Sequence, residues 1–441
     1  KSVLVSYDQR KPPLDFASVL NVYDGASGTL RETRSLEYNA PLAFLGKTLA
    51  IGGKEPSLEA WPGPSKRKRV VLPDVDVTAI NVDRFQPWQS NPAYRRERAF
   101  ESLGQVYQCH YPDRPWETAR NAKRSPFHDR LAERGAFFRD VSGWESPAWY
   151  APKGQDAKIE KLSWGRQNWF PHWKAEHRAC REGVVLMDMS FMGKFLVQGR
   201  DAGDFLDHLS ANAVNGEPGK ITYTQWLNED GGIEADLTVI KHDDARYLVV
   251  SSDTAHRHTE TWMRRHVGEE QHVTVTDVTG AYGQLNIQGP ESRALLQMVT
   301  TADLSNEALP FRGVREIDIG FARVLCVRIT YLGELGYELY IPAEQAVHVY
   351  DILAGAGETF GLRHAGLRAL SSLRLEKGYR DWGHDIDNCD DPYRAGLGFA
   401  VKVNKPGGFI GREACEAIRT SGPLKERLVQ VLVRDPEPLM H

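Results

Sequence analysis

Asp236, Glu334, Arg374 and Glu376 are the residues whose type and setting could do chemistry in this chain. Asp236 follows the turn Asn228-Glu-Asp-Gly-Gly232 and stands in an otherwise apolar strand-like run at 233–240. Side chains alternate along a strand, so Asp236 shares a face with Glu234 and Thr238. There it reads either as a solvent-facing carboxylate or as a proton acceptor. Glu334 lies between Gly333 and Gly336, residues that let a backbone approach a ligand closely; it reads equally as a turn glutamate. Arg374 and Glu376 fall in an amphipathic helical run, where surface charge or an internal ion pair is an equal reading. A site of acids without metal or thiol suits a cationic or hydrogen-bond-donating ligand, with an acid able to accept a proton.

Other chemistries lack their motifs. No GxGxxG follows a strand, and neither GxxxxGK[ST] nor GxSxG occurs. His256 and His258 are two apart and His172 and His177 five apart, so neither pair has the i,i+4 spacing of a zinc helix; no metal is expected. The 441 residues carry 55 Lys+Arg against 59 Asp+Glu, a formal charge of −4. That balance predicts neither a nucleic-acid nor a membrane-surface partner. No run approaches the roughly 18 apolar residues of a spanning helix. Five cysteines, never in a CxxC pair, argue against a disulfide scaffold and for a reducing compartment.

The elements that must position these residues are read from periodicity and turn chemistry. Residues 1–75 form an irregular leader with little periodicity, ending near the basic run Lys66-Arg-Lys-Arg69, a solvated linker charge run. Residues 76–124 form a polar, aromatic strap in which Pro87, Pro92, Pro112 and Pro115 should prevent a long regular element. From Ser125, a candidate helix cap, the pattern becomes regular. Strands are expected at 184–186, 194–197, 222–227, 233–240, 273–275, 284–287, 323–330 and 336–341, with Asn228–Gly232 and Asp243-Asp244 as hairpin turns. Helices are expected from Asp201, from Asp253 to about 266, from Pro290, over 343–353 and over 364–377, the last closed by Gly378. Hairpins mixed with helices predict an α+β fold with largely antiparallel sheets and flanking helices.

Three strings carry a resemblance: Thr222-Tyr-Thr-Gln-Trp-Leu-Asn-Glu-Asp-Gly-Gly-Ile-Glu-Ala-Asp-Leu-Thr-Val239, Tyr331-Leu-Gly-Glu-Leu-Gly-Tyr-Glu338 and Gly366-Leu-Arg-Ala-Leu-Ser-Ser-Leu-Arg-Leu-Glu-Lys-Gly378. Together they resemble the folate-binding core of the aminomethyltransferase family, the T-protein of the glycine cleavage system. Arg124-Ser-Pro-Phe-His-Asp129, Gly143-Trp-Glu-Ser-Pro147, the stretch at 302–311 and Glu376-Lys-Gly-Tyr-Arg-Asp-Trp382 are similar to its flavoprotein branch, the sarcosine and dimethylglycine dehydrogenases. The resemblance runs from about Asp76 onward.

It implies a T-protein-like folate-binding domain over 125–425, behind a strap that resembles the tail of an FAD oxidase domain. Residues 1–75 would then be a remnant of that domain. Residues 426–441 would be the first strand of a C-terminal barrel that the chain truncates. The implied cofactor is tetrahydrofolate, with FAD only through a missing or separate oxidase domain. The implied substrate is a methylated glycine, whose oxidised N-methyl carbon is captured as 5,10-methylenetetrahydrofolate. By the same resemblance Asp236 is the catalytic carboxylate and Glu334 binds the pterin's donors. Tyr331 and Tyr223 flank the pterin. Arg374 is a ligand for a folate-tail carboxylate or a partner of Glu376. Ala235 stands where the T-protein has a second aspartate, a departure shared with the flavoprotein branch. The implied location is the mitochondrial matrix in a eukaryote and the cytoplasm in a bacterium. An alternative of another class is a non-catalytic regulatory protein, since the pyruvate dehydrogenase phosphatase regulatory subunit resembles the same architecture.

Overall fold

A computed structural model describes residues 86–152, 154–155 and 161–434 in full, and the strands before residue 62 as backbone. The chain divides into two compact units, Lys1–Pro87 and Trp88–His441. In the first, β1 (Val3–Asp8), β2 (Ser18–Asp24) and β3 (Leu30–Leu36) form one antiparallel sheet, and β4 (Leu42–Leu45), β5 (Thr48–Gly52) and β6 (Leu58–Trp61) another. The expected irregular leader is therefore built of short strands. Strands this brief show too few alternations for a period of two to stand out in the sequence.

The second unit opens with α1 (Pro92–Gln105), α2 (His128–Glu133), the hairpin β7 (Ala136–Val141) and β8 (Trp144–Tyr150), and α3 (Phe170–Glu182). The prolines of the strap do not prevent a helix. Pro92 occupies the first turn of α1, where its missing N–H has no intrahelical partner to lose, and the Asn91 side chain caps Ala93 N at 2.9 Å. There follow β9 (Val185–Asp188), β10 (Gly193–Gln198), α4 (Ala202–Leu209), β11 (Lys220–Leu227), β12 (Ile233–Asp243), β13 (Arg246–Ser251), α5 (His256–His266) and β14 (Thr274–Asp277). The remainder is β15 (Tyr282–Gln288), α6 (Ser292–Val299), β16 (Val314–Ile319), β17 (Ala322–Val327), β18 (Gly336–Pro342), α7 (Ala346–Gly357), β19 (Arg363–His364), α8 (Leu367–Glu376) and α9 (Arg412–Thr420).

Two sheets face each other, ordered β11-β12-β13-β10-β14 and β16-β17-β18-β15-β9-β19. Their described ladders are antiparallel except for the short β19–β9 pair, so the sheets are largely antiparallel as expected. Alternation along β12 explains the layering. Ala235, Leu237 and Val239 pack against Phe205 and Leu206 of α4 and Trp262 and Met263 of α5. On the opposite face Ile240 meets Leu248, Val250 and, across the gap between sheets, Val327 and Tyr340. The far side of the second sheet buries Leu285, Ile287, Leu339 and Ile341 under α6 and α7. Trimming one such leucine to alanine costs about 2–5 kcal/mol.

Several caps differ from expectation. Ser125 donates to Asp188 Oδ2 at 2.5 Å instead of capping α2, and Asp253 accepts from Ser142 Oγ at 2.7 Å instead of capping α5. Both side chains are drawn into long-range contacts that outcompete a local cap. α8 begins at Leu367, because Arg363 and His364 pair with β9 and leave helical geometry. Of the strand expected over 426–441, residues 435–441 lie outside the described residues and 426–434 take no ladder partner among the described ones. Leu428 N donates to Arg394 O at 2.9 Å, but Val429, Val431 and Leu432 stay exposed.

Candidate functional site

The site is assembled at the end of β11 and the start of β12, where the inter-sheet layer turns polar. Gln225 pairs directly opposite Asp236 across the β11–β12 ladder, and Tyr223 is the diagonal neighbour on the same face. Gln225 Nε2 donates to Asp236 Oδ1 at 2.8 Å, and the Tyr223 hydroxyl also bonds this carboxylate. Asp236 keeps a partial opening to solvent while protein packs round it on the other sides. That burial pushes its pKa up to about 6, helped by the negative charge of Asp381 and opposed by the bonds from Gln225 and Tyr223 and by Arg380. A carboxylate poised there holds or releases a proton near neutral pH. Its neighbour Ala235 is fully buried among the apolar side chains under α4 and α5, so a second aspartate at that position would set a charge into a hydrophobic core.

Two further segments close round Asp236. The first is the loop 328–335 between β17 and β18. Thr330 Oγ1 accepts from Leu332 N and Gly333 N, both at 3.1 Å, which sets the turn. Gly333 has φ +77°, and a Cβ there would lie 2.4 Å from the Lys377 side chain, so the turn admits no larger residue without strain. The second is the segment 379–385 after α8, which Gly378 (φ +64°) turns out of the helix. The Tyr331 hydroxyl donates to Arg380 O at 2.6 Å, and Trp382 Nε1 donates to Ile233 O at 2.7 Å, so this segment is tied to both the loop and the start of β12. His258 stacks on Trp382 with ring centroids 5.9 Å apart and bonds Glu234 at 2.9 Å.

The sequence-predicted residues are placed as follows. Asp236, Tyr223 and Tyr331 come together, and each influences the ionisation of its neighbours. Tyr223 stacks with Phe399 at 6.2 Å and Tyr331 with Tyr379 at the same distance. Glu334 is bound to Arg181 of α3 at 2.8 Å. Arg374 is buried; it bonds Asp385 and the Tyr379 carbonyl, the latter at 3.1 Å, with Asp381 at 3.8 Å. Of the two readings of Arg374, the pair with Glu376 is not formed. Glu376 instead meets Arg181 at 2.9 Å and His177 at 3.1 Å, because it projects from α8 towards α3 while Arg374 turns inward. Sequence reasoning missed Gln225, Arg181, Arg380 and Asp381. Gln225 carried no clear signal: regular pairing from the hairpin turn sets Thr224 opposite Asp236, and a bulge between Trp226 and Leu227 shifts the register by one to bring Gln225 there. Arg181, 153 residues from Glu334, carried none.

Among the described residues no group of three or more His, Cys, Asp and Glu is arranged to hold a metal, and no helix is long and apolar enough to cross a membrane. The site fits an N–H-rich ligand: Asp236 and Asp381 are acceptors, and the nearby hydroxyls of Tyr223 and Tyr331 are already given to protein oxygens.

The description "GCVT N-terminal domain" matches residues 127–405, and "FAD dependent oxidoreductase central domain" matches residues 72–125. The chain is 40% identical over 367 residues to 4-methylaminobutanoate oxidase (formaldehyde-forming) of Paenarthrobacter nicotinovorans, covering 83% of this chain and 44% of that protein. It is 34% identical over 408 residues to human mitochondrial sarcosine dehydrogenase, again covering 83% of this chain and 44% of the relative. It thus spans less than half the length of these relatives. The crystal structure of glycine cleavage system aminomethyltransferase T from Bartonella henselae matches with a TM-score of 0.57 at 25% identity, covering 69% of this chain and 76% of that one.

Proposed function

The chain belongs to the GCVT N-terminal domain family, and from that premise we propose that it is the tetrahydrofolate-binding one-carbon transfer module of a sarcosine or dimethylglycine dehydrogenase-like enzyme. The observation that carries the reading is the Asp236 carboxylate, held by Gln225 and Tyr223, partly open to solvent and pushed up to about 6. Its substrate is a methylated glycine oxidised at its N-methyl group by an FAD oxidase domain, in the same or another chain. The similarity of residues 72–125 to an FAD dependent oxidoreductase central domain supports that pairing.

Tetrahydrofolate in this site would supply two nucleophilic nitrogens that together take up the carbon as 5,10-methylenetetrahydrofolate, each giving up one N–H hydrogen. Asp236 accepts a proton released at the attacking nitrogen and returns it to the departing amine. Both hydrogens end on that amine as an ammonium ion, or in water when free formaldehyde is the carbon source. Asp236 in its ionised form also stabilises the positive charge of an iminium carbon donor. Glu334, steadied by Arg181, accepts from the pterin's amino and ring donors. Tyr223 and Tyr331 provide aromatic faces beside the ring. Arg374, bonded to Asp385 and the Tyr379 carbonyl, holds the 379–385 segment in place. The proposed location is the mitochondrial matrix in a eukaryote and the cytoplasm in a bacterium.

Isothermal titration of the folded chain with tetrahydrofolate tests the reading, followed by assay of 5,10-methylenetetrahydrofolate formed from formaldehyde. Saturable binding with product formation is expected. A flat titration of a chain that melts cooperatively overturns it. If such a chain also co-purifies with a phosphatase catalytic subunit, the regulatory reading replaces it.

A further inference from the structure

Gln225 is 0% exposed, yet only one end of its amide is used. Nε2 donates to Asp236 Oδ1 at 2.8 Å, while Oε1 is buried and has no hydrogen-bond partner among the described residues. Turning the amide over does not help while Asp236 is ionised, because it would set Oε1 against a carboxylate oxygen. An amide oxygen stripped of water and left unpaired weakens an equilibrium by roughly tenfold to a hundredfold.

The donors near Asp236 for which the structure gives partners are bonded to oxygens other than Gln225 Oε1. The Tyr223 hydroxyl bonds Asp236, the Tyr331 hydroxyl bonds Arg380 O, and the Arg380 guanidinium bonds the carbonyls of Gly378 and Ala395. Asp381, the remaining charged group facing Asp236, is an acceptor. No donor among the described residues reaches Oε1, which leaves it open to one supplied by a bound ligand.

We propose that Gln225 is a ligand-positioning residue, whose buried Oε1 accepts a hydrogen bond from an N–H of a reduced pteridine while its Nε2 fixes the Asp236 carboxylate. The inference rests on the tetrahydrofolate reading of the site and deepens it: one amide aligns the ligand's donor edge with the carboxylate that takes its proton. The two atoms have separable tasks. Oε1 sets affinity, and Nε2 sets the ionisation of Asp236.

The test uses the full chain with Gln225→Met, which removes both atoms at similar volume, and Gln225→Glu, which keeps an acceptor and replaces the donor. The readouts are tetrahydrofolate titration at pH 7.5 and the pH profile of 5,10-methylenetetrahydrofolate formation from formaldehyde, with a melting curve for each chain. Gln225→Met should raise the Kd about tenfold. Gln225→Glu should keep the Kd within about threefold, while its added negative charge moves the acidic limb of the profile above pH 6. Equal affinity in wild type and Gln225→Met overturns the proposal, and so does equal weakening in both variants. If Gln225→Met does not fold, Gln225→Glu decides alone: retained affinity with a raised limb supports the proposal, and lost affinity or an unmoved limb overturns it. Absence of binding by the wild type would instead overturn the tetrahydrofolate reading itself.

Discussion

Glu334 and Arg181 form an ion pair at 2.8 Å between the β17–β18 loop and the third helix, and it couples the predicted ligand-binding acid to an element 153 residues away. The same guanidinium donates to Leu332 O at 2.7 Å and Leu373 O at 3.1 Å, and it binds Glu376 at 2.9 Å. One side chain therefore fixes the loop, α3 and α8 relative to each other. Arg181→Ala should destabilise the chain by about 1–3 kcal/mol, because two backbone carbonyls and Glu334 lose their partner together and Glu376 is left with His177 alone. Urea denaturation at neutral pH measures this; a change under 0.5 kcal/mol would contradict it.

Glu334→Ala should weaken tetrahydrofolate binding about tenfold, the worth of one charge-assisted bond in a partly buried site. Arg181 keeps Glu376 and its two carbonyls in this variant, so the melting temperature should change less than in Arg181→Ala. Titration calorimetry beside a thermal melt separates the two effects. An unchanged Kd would remove Glu334 from the ligand site.

Asp236→Asn should reduce 5,10-methylenetetrahydrofolate formation by about 10²-fold or more, the range of a lost general base. In the wild type the rate should fall below about pH 6 as the carboxylate is protonated, and this limb should be absent from the residual activity of the variant. Stability moves the opposite way. The folded carboxyl binds its proton more tightly than an unfolded one, so its ionisation costs stability at neutral pH. That cost fades as the pH falls through about 6 towards about 4. Asp236→Asn should therefore melt at least as high as wild type at pH 7.5, with the gain vanishing near pH 4.

Glu176 makes a second pH prediction, away from the site. It is buried, and accepts from Tyr150 N at 2.7 Å and Gly366 N at 3.0 Å, stapling β8 to the start of α8. Burial pushes its pKa up to about 8, against about 4.3 for a free glutamate. Between those values the unfolded chain gives up the proton first, so stability contributed by the protonated acid is lost as pH rises from about 4 to about 8. Glu176→Gln should flatten that fall in Tm between pH 5 and 8.5. It should also lower Tm at pH 5, since its NH₂ opposes one of the two N–H donors. A wild-type Tm that does not fall over this range would contradict the assignment.

The elements that carry the site were largely legible. β12, β11 and the turn between them follow from an apolar alternation broken by Asn228 and the two glycines, and Gly378 closes α8 with φ +64°. The side-chain misses share one cause: a side chain with a local option took another partner. Ser125 went to Asp188 and Asp253 to Ser142, where capping rules look only a few residues ahead. Arg374 shows the same limit. Spacing on α8 allowed a Glu376 partner, but inward rotation gave it Asp385.

The sequence by itself determined the α+β layering and the face of β12 that carries Asp236, because periodicity and turn chemistry are local properties of the chain. Placing Gln225 opposite Asp236 took a bulge between Trp226 and Leu227, which regular pairing from the turn does not give. Only the tertiary structure decided the charge state of the site. Asp381 and Arg380 reach Asp236 from the segment after α8, and Arg181 reaches Glu334 from α3. Ionisation depends on burial and on charges a few ångströms away in space, and no spacing along the chain encodes either.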